Sequence, residues 1–140
     1  DNLVPFVCQV ATGKLAKLRV FGTDYPTQDG TAIRDYLHVS DLADAHLKAL
    51  EALLNRKGIL TCNLGTGMGS SVLDVICAFE KISGITIPHE FNARRTGDVT
   101  EAWADPSMAE KVLGWKAQYS LEEMLADAWN WQKKNPNGYE

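Results

Sequence analysis

Asp29-Gly30-Thr31-Ala32-Ile33-Arg34-Asp35-Tyr36-Leu37-His38-Val39-Ser40-Asp41-Leu42-Ala43 runs from a turn into a helix, and the α/β reading of the chain depends on it. Asp-Gly is a turn dipeptide that readily supplies a positive-φ position. The polar run behind it concentrates Arg34, Asp35, Tyr36 and His38. Ser40 then stands where a helix N-cap would accept a backbone N–H. A polar loop between a turn and a helix start is a natural platform for presenting side chains to a ligand. The plainer alternative is a solvated loop around a buried Tyr36.

Working outward, Leu42, Ala45, His46, Ala49, Leu50, Leu53 and Leu54 fall on one face of a helix, with His46 expected in the core. Ile59 to Leu64 reads as a short buried strand leading into Gly65-Thr66-Gly67-Met68-Gly69-Ser70. Ser71 and Asp74 are spaced as a capping box, and Val72, Val75, Ile76, Phe79 and Ile82 form the stripe of a helix closed by Gly84. Thr86 to Phe91 is a strand candidate interrupted by Pro88, and Asn92 to Ala104 reads as irregular. Asp105-Pro106 predicts an N-cap and N1 pair for a helix ending at Gly114. Ser120 and Glu123 open a last helix through Trp131. Upstream, Leu3 to Ala11 has helical spacing and Leu18 to Gly22 alternates like a strand. Helices alternating with short strands point to a helix-rich α/β chain without internal repeats.

The 140 residues suit one domain, with a 45% hydrophobic and 23% charged composition typical of a soluble globular chain. A net charge of −4 carries no electrostatic footprint for nucleic acid. An anionic ligand would need local basic residues instead. No apolar run is long enough to span a bilayer. Neither a signal peptide nor an initiator Met is present, so Asp1 reads as an interior start. Cys8, Cys62 and Cys77 are odd in number and lack CxxC spacing, which points to core thiols and a cytoplasmic setting.

The Gly65–Gly69 loop has the position of a phosphate cradle. It departs from GxGxxG because position 70 is Ser, and no acidic residue about 20 positions on ends a second strand. A tight structural turn is the better reading. Arg94-Arg95-Thr96-Gly97-Asp98 carries more chemistry, since paired guanidiniums can grip phosphate bidentately and the carboxylate can accept from ribose hydroxyls. Arg34 offers a third guanidinium; a solvated basic loop is the plain alternative. His38, His46 and His89 show no metal-ligand spacing. Tyr36 and His38 as an acid–base pair lack any adjacent nucleophile or tuned carboxylate. Trp103, Trp115, Trp129, Trp131 and Tyr139 are expected in core and interface rather than as a sugar platform.

The ordered string Arg34-Asp35-Tyr36-x-His38-Val39-x-Asp41-Leu42-Ala43 resembles the equivalent segment of UDP-galactose 4-epimerases, in the extended short-chain dehydrogenase/reductase family. So do Asn2-Leu3-Val4-Pro5, Val20-Phe21-Gly22-Thr23-Asp24-Tyr25, Asn63-Leu64-Gly65-Thr66-Gly67 and Arg94-Arg95-Thr96-Gly97-Asp98. Leu113-Gly114-Trp115 and the tail from Trp129 to Tyr139 complete an ordered match across the chain. The resemblance implies a C-terminal UDP-sugar-binding domain over residues 1–140, with Asn2 and Leu3 on the phosphate side. It implies Arg19 and Phe21 beside the uracil, Arg34 and Arg95 on the diphosphate, and Asp98 on the ribose. The family reaction interconverts UDP-galactose and UDP-glucose through a 4-keto intermediate, using NAD.

Two departures qualify what the resemblance implies. The Gly-x-x-Gly-x-x-Gly loop and the catalytic Tyr-x-x-x-Lys pair are absent here: Ser40 and Asp29 stand four residues after Tyr36 and Tyr25. The chain is therefore expected to be the C-terminal half of such an enzyme, inactive alone, with NAD held by an N-terminal Rossmann half in a homodimer. Ala102 stands where some members carry a bulky Tyr, which leaves room for UDP-N-acetylglucosamine. Without the Rossmann half, the Asp41–Leu54 helix and the segment ending at Leu64 would expose apolar faces and self-associate. The rivals are another nucleotide-sugar epimerase or decarboxylase, and a non-catalytic nucleotide-sugar-binding module.

Overall fold

The computed structural model describes residues 2–55 and 57–138; Asp1 and Tyr139, both used in the sequence reading, lie outside them. The chain runs α1 (Leu3–Ala11), β1 (Leu18–Phe21), β2 (Ile33–Arg34), α2 (Val39–Leu54), β3 (Ser70–Ser71), α3 (Val72–Ser83), β4 (His89–Asn92), β5 (Glu101–Ala102), α4 (Ser107–Leu113) and α5 (Leu121–Lys134). β1 and β4 pair in parallel, Phe21 opposite Asn92. β2 is the centre of a second sheet, antiparallel to β3 and parallel to β5.

α1, α3 and α5 pack around β1 and bury Val7, Val20, Ile76, Phe79 and Leu125 in one apolar cluster. Trp129 of α5 meets Phe79 edge-on at 5.6 Å between ring centroids, a favourable aromatic geometry. Both expected capping boxes form. Ser71 Oγ accepts from Asp74 N–H at 3.0 Å while the Asp74 carboxylate accepts from Ser71 N–H at 2.9 Å. The same exchange joins Ser120 and Glu123 at the start of α5. Gly84 and Gly114 end α3 and α4 in the left-handed conformation that spares them a Cβ clash.

Elsewhere the elements depart from their sequence patterns. Ser40 is not the cap of α2: His38 is, its Nδ1 accepting from Ser40 N–H at 3.0 Å. An imidazole nitrogen has the lone pair that capping needs, and it stands two residues before the hydroxyl. Asp105 is not the N-cap of α4 and Pro106 is not its first residue: Pro106 takes the N-cap position, and Asp105, one residue earlier, accepts from Ser107 N–H at 3.0 Å. β4 begins only after Pro88, whose missing N–H excludes it from donating, although its carbonyl accepts from Leu18 N–H at 2.8 Å. Ile59–Leu64 forms no strand, because a strand needs a ladder and no described strand pairs with it; Ile59 is 93% exposed. On α2 only Asp41 and Ala45 are buried, and His46 is exposed, its Nδ1 lying 2.7 Å from the Leu42 carbonyl oxygen.

A second, smaller cluster joins Ala45 of α2 to Ala109 and Trp115. Buried Asp41 secures it: its carboxylate accepts from the backbone N–H groups of Gln118 and Tyr119 at 3.1 Å, and its carbonyl accepts from Trp115 Nε1 at 3.0 Å. A buried carboxylate is tolerated when several donors satisfy it.

Candidate functional site

One cavity of ≈ 1020 Å³ opens between the start of α1, β1, β2 and α5. Asn2, Leu3, Arg19, Phe21, Arg34, Arg95 and Asp98 all line it. Residues up to 96 positions apart are therefore gathered by the fold, as their motifs implied. Ala102 is not among them. It borders a second, open cavity of ≈ 650 Å³ with Asp35, Cys62 and Trp103.

The α1 end offers a helix N-terminus. Asn2 is its N-cap by position but makes no side-chain capping bond, so the positive end of the helix faces the cavity with its polar amide in reserve. Arg34 is the best anchored cation. Nη1 donates to the Ile33 carbonyl at 2.6 Å, and Nη2 donates to the Val99 carbonyl at 2.9 Å and to the Asp98 carboxylate. Its guanidinium and that carboxylate are both about a quarter exposed, so an incoming anion would compete with Asp98 for the guanidinium. Arg95 sits over Phe21, its guanidinium carbon 4.2 Å from the ring centroid, and lines the cavity with its N–H groups available to a ligand. Arg19, Arg34 and Arg95 bring three guanidiniums to the cavity, and Asp35, Asp98 and Asp127 three carboxylates; the guanidiniums, the Asp98 carboxylate and the Phe21 ring together suit a phosphate with a sugar and a flat ring attached.

The glycine loop takes no part in this. Asp35 accepts from Thr66 N–H at 3.1 Å, Gly67 N–H at 3.3 Å and Ala104 N–H at 3.2 Å, so a carboxylate already sits where a phosphate would. A Cβ at Gly65 would strike that carboxylate, and one at Gly69 would strike Ile33. The loop is a tight structural turn, and its residues do not fit a dinucleotide.

Tyr36 and His38 also border the cavity without forming an acid–base couple. Burial pushes the Tyr36 phenol up to about 12, the Arg34 charge acting weakly against it, so the phenol is a reluctant proton donor at neutral pH. His38 is held on both sides, with Nδ1 capping α2 and Nε2 3.3 Å from the Asp127 carboxylate. Its ring stacks on Tyr119 at 4.2 Å.

Sequence reasoning missed the α5 wall, where Met124, Asp127, Ala128 and Trp131 face the cavity. Only the helical spacing of those residues hinted at it. Trp131 therefore belongs to the cavity, unlike Trp115, which is buried in the core, and Trp103, which is 55% exposed.

Three arginines and three aspartates thus line one cavity of an α/β scaffold. The chain belongs to the GDP-mannose 4,6 dehydratase family, whose family model matches residues 1–128. It is 57% identical over 139 residues to the UDP-glucose 4-epimerase of Bacillus subtilis (strain 168), covering 99% of this chain and 41% of that protein. Among solved structures it is similar to the UDP-glucose 4-epimerase of Bifidobacterium longum in complex with NAD+ and UDP. There the TM-score is 0.94 and the identity 49%, over 99% of this chain and 41% of that one. The UDP-glucose-4-epimerase of Stenotrophomonas maltophila, with bound NAD and formylated UDP-arabinopyranose, matches at TM-score 0.95 and 48% identity, over 97% of this chain and 40% of that one. The similarity to UDP-glucose 4-epimerases implied by the motifs is thus borne out, and so is the helix-rich α/β fold. The chain spans about two-fifths of the length of these relatives.

Proposed function

We propose that this chain is the UDP-sugar-binding portion of a UDP-glucose 4-epimerase, and that it anchors the uridine diphosphate while the sugar reacts elsewhere. The observation that carries the reading is the convergence of Asn2, Leu3, Arg19, Phe21, Arg34, Arg95 and Asp98 on one cavity. In this reading Arg34 and Arg95 hold the diphosphate, and Asp98, released from Arg34, accepts from the ribose. Arg19 and Phe21 flank the base, and the N-terminal end of α1 adds positive potential.

Epimerisation at C4 needs the sugar to turn between loss and return of a hydride. A firmly held diphosphate lets the sugar swing while preventing its escape. NAD would supply the hydride chemistry; the glycine loop here does not fit it, so its site is placed on a partner half that also carries the Tyr-x-x-x-Lys pair. The natural substrates would be UDP-galactose and UDP-glucose. Ala102, a small residue on β5 beside Arg34, extends the reading to UDP-N-acetylglucosamine. Turnover of that substrate should fall in an Ala102→Tyr variant of the complete enzyme, and unchanged turnover would remove the extension. The free thiols Cys8, Cys62 and Cys77 support a cytoplasmic setting, and the complete enzyme is proposed to be a homodimer.

Calorimetric titration of the chain with UDP, with uridine as control, tests the anchoring role. Two or three guanidinium–phosphate contacts of about 1.5–3 kcal/mol each, less several kcal/mol for association, give a dissociation constant of about 0.1–1 mM. UDP binding without uridine binding is the expected result. A folded chain that takes up neither would overturn the anchoring role of the isolated chain.

A further inference from the structure

Arg95 lines the cavity; Arg94, its neighbour, does not. We propose that Arg94 is a positioning residue for nucleotide binding, clamping the loop after β1 to the segment after β4 so that Arg95 and Phe21 stand correctly at the cavity. The proposal rests on the UDP-anchoring reading above.

β1 and β4 are tied by their ladder as far as Gly22, whose N–H donates to the Asn92 carbonyl at 2.8 Å. Beyond that bond the two segments leave the sheet, and Arg94 joins them again. Its Nε donates to Asp24 Oδ1 at 2.7 Å and its Nη2 to the Asp24 carbonyl oxygen. Its guanidinium carbon lies 4.0 Å from the centroid of the Tyr25 ring. The result is two cation–ring pairs: Phe21 and Tyr25 come from the β1 side, Arg95 and Arg94 from the β4 side, each cation on its own ring.

The Tyr25 platform is rigid. The residue is 4% exposed, and its hydroxyl finds no hydrogen bond among the described residues, so packing and the cation hold the ring. Gly22, at φ +84°, lies so close that a Cβ there would collide with the ring. The Arg94 guanidinium, through its hydrogen bond first, also holds the Asp24 carboxyl below its ordinary range. Arg94 thus spends its charge within the fold, and the adjacent Arg95 keeps its N–H groups for the ligand.

Two measurements test this on the 140-residue chain. Side-chain protons of Arg95 stacked on Phe21 should carry a ring-current shift in the nuclear magnetic resonance spectrum. In Arg94→Ala that shift should collapse, and titration with UDP should show affinity weakened about tenfold, equivalent to 1.4 kcal/mol. Arg94→Lys should fall between, because an ammonium keeps the charge but loses the two-point, stacked contact. Asp24→Asn guards against misfolding of the Arg94 variants, since the Asp24 side chain is 74% exposed and its loss leaves the core untouched; a severalfold weakening is expected. Tyr25→Phe should bind as the native chain does. An unchanged Arg95 shift in Arg94→Ala overturns the inference even if UDP binding weakens. A native chain that binds UDP while Arg94→Ala binds it equally well overturns the inference alone. A native chain that does not bind UDP overturns the anchoring reading, and the nucleotide-binding part of this inference with it.

Discussion

α2 and α3 carry similar amphipathic patterns and meet opposite fates. α3 buries Val75, Ile76 and Phe79 against α1, α5 and β1. α2 buries Ala45 and the polar Asp41, while Leu47, Leu50, Leu53 and Leu54 remain exposed. The cavity draws its α1, β1 and α5 walls from that packed half and closes them with β2, the 35–38 segment and the first residues of α2. Its geometry is therefore held by contacts the chain makes with itself. The outer face of α2 carries the pattern of a buried element without burial, while the 59–64 segment tucks only Cys62 and Leu64 partly against the second cluster and leaves Ile59 exposed. In this chain an apolar stripe records what a helix is able to cover, and only packing decides whether it is covered.

The sharpest way to break the contrast is to hollow the packed half. Phe79 has no exposed surface and supports both the core cluster and Trp129. Phe79→Ala should cost about 3–5 kcal/mol, the range for losing a buried aromatic side chain and leaving its cavity. For a small domain stable by about 5–15 kcal/mol that is a large share. Urea unfolding followed by tryptophan fluorescence would measure it. A loss below 1 kcal/mol would mean that the two halves are not as different as they look.

The second test concerns the site rather than the core. Arg34→Ala removes the guanidinium that Asp98, Ile33 and Val99 hold in place. UDP affinity should drop by about 1.5–3 kcal/mol, the worth of a charged hydrogen bond, so calorimetric heat should fall to the uridine level. It also leaves Asp98 without its cation, so a modest stability loss should accompany it. Retained UDP binding would assign the diphosphate to Arg95 and Arg19 instead.

These tests separate what the sequence made legible from what it could not. Local chemistry was readable. The Ser71–Asp74 and Ser120–Glu123 boxes, and the Gly84 and Gly114 stops, depend only on neighbours in the chain. The gathering of Arg34, Arg95 and Asp98 was readable only through ordered motifs, because nothing in composition or periodicity brings residues 64 positions apart together. What stayed hidden was the choice of partner. Arg34 pairs with Asp98, Asp35 occupies the glycine loop, and His38 displaces Ser40 as cap. Each is a competition between chemically adequate candidates, decided by geometry. The Ile59–Leu64 pattern failed for a different reason: a strand is defined by its ladder, and a one-strand pattern does not say whether a ladder exists.

A smaller effect sits at the helix starts. Ser71 Oγ accepts from Asp74 N–H and also donates to the Asp29 carboxylate, linking α3 to the turn before β2. Ser71→Ala should cost about 0.5–2 kcal/mol, toward the upper end, since a cap and an inter-element bond go together. Acid probes the same elements. At Asp29, burial opposes ionisation, but hydrogen bonds from Ser71 and Thr31 outweigh it and lower the pKa. At Glu123, the Ser120 N–H and hydroxyl lower it in the same way. A carboxyl with a folded pKa below its unfolded one contributes stability above the unfolded pKa and loses it as pH falls through the folded one. Thermal midpoints should hold near neutral pH and decline through the acid range, less steeply in Ser71→Ala.

The smallest change in stability, and the most direct probe of the contrast, comes from α2. Leu50 is 57% exposed and Leu54 78%, so Leu50→Gln with Leu54→Gln deletes almost no buried contact. Surface changes of this kind fall within about 0.5 kcal/mol of neutral. Association should respond where stability does not. An apolar row on an exposed helix is a sticky face, so the native chain should self-associate with rising concentration in sedimentation velocity. The double variant should stay monomeric with an unchanged unfolding midpoint. A lower midpoint would show that these leucines pack within the chain in solution. A native chain that is monomeric at every concentration would show that exposure along one helix does not by itself drive association, and would remove the self-association expected of this face.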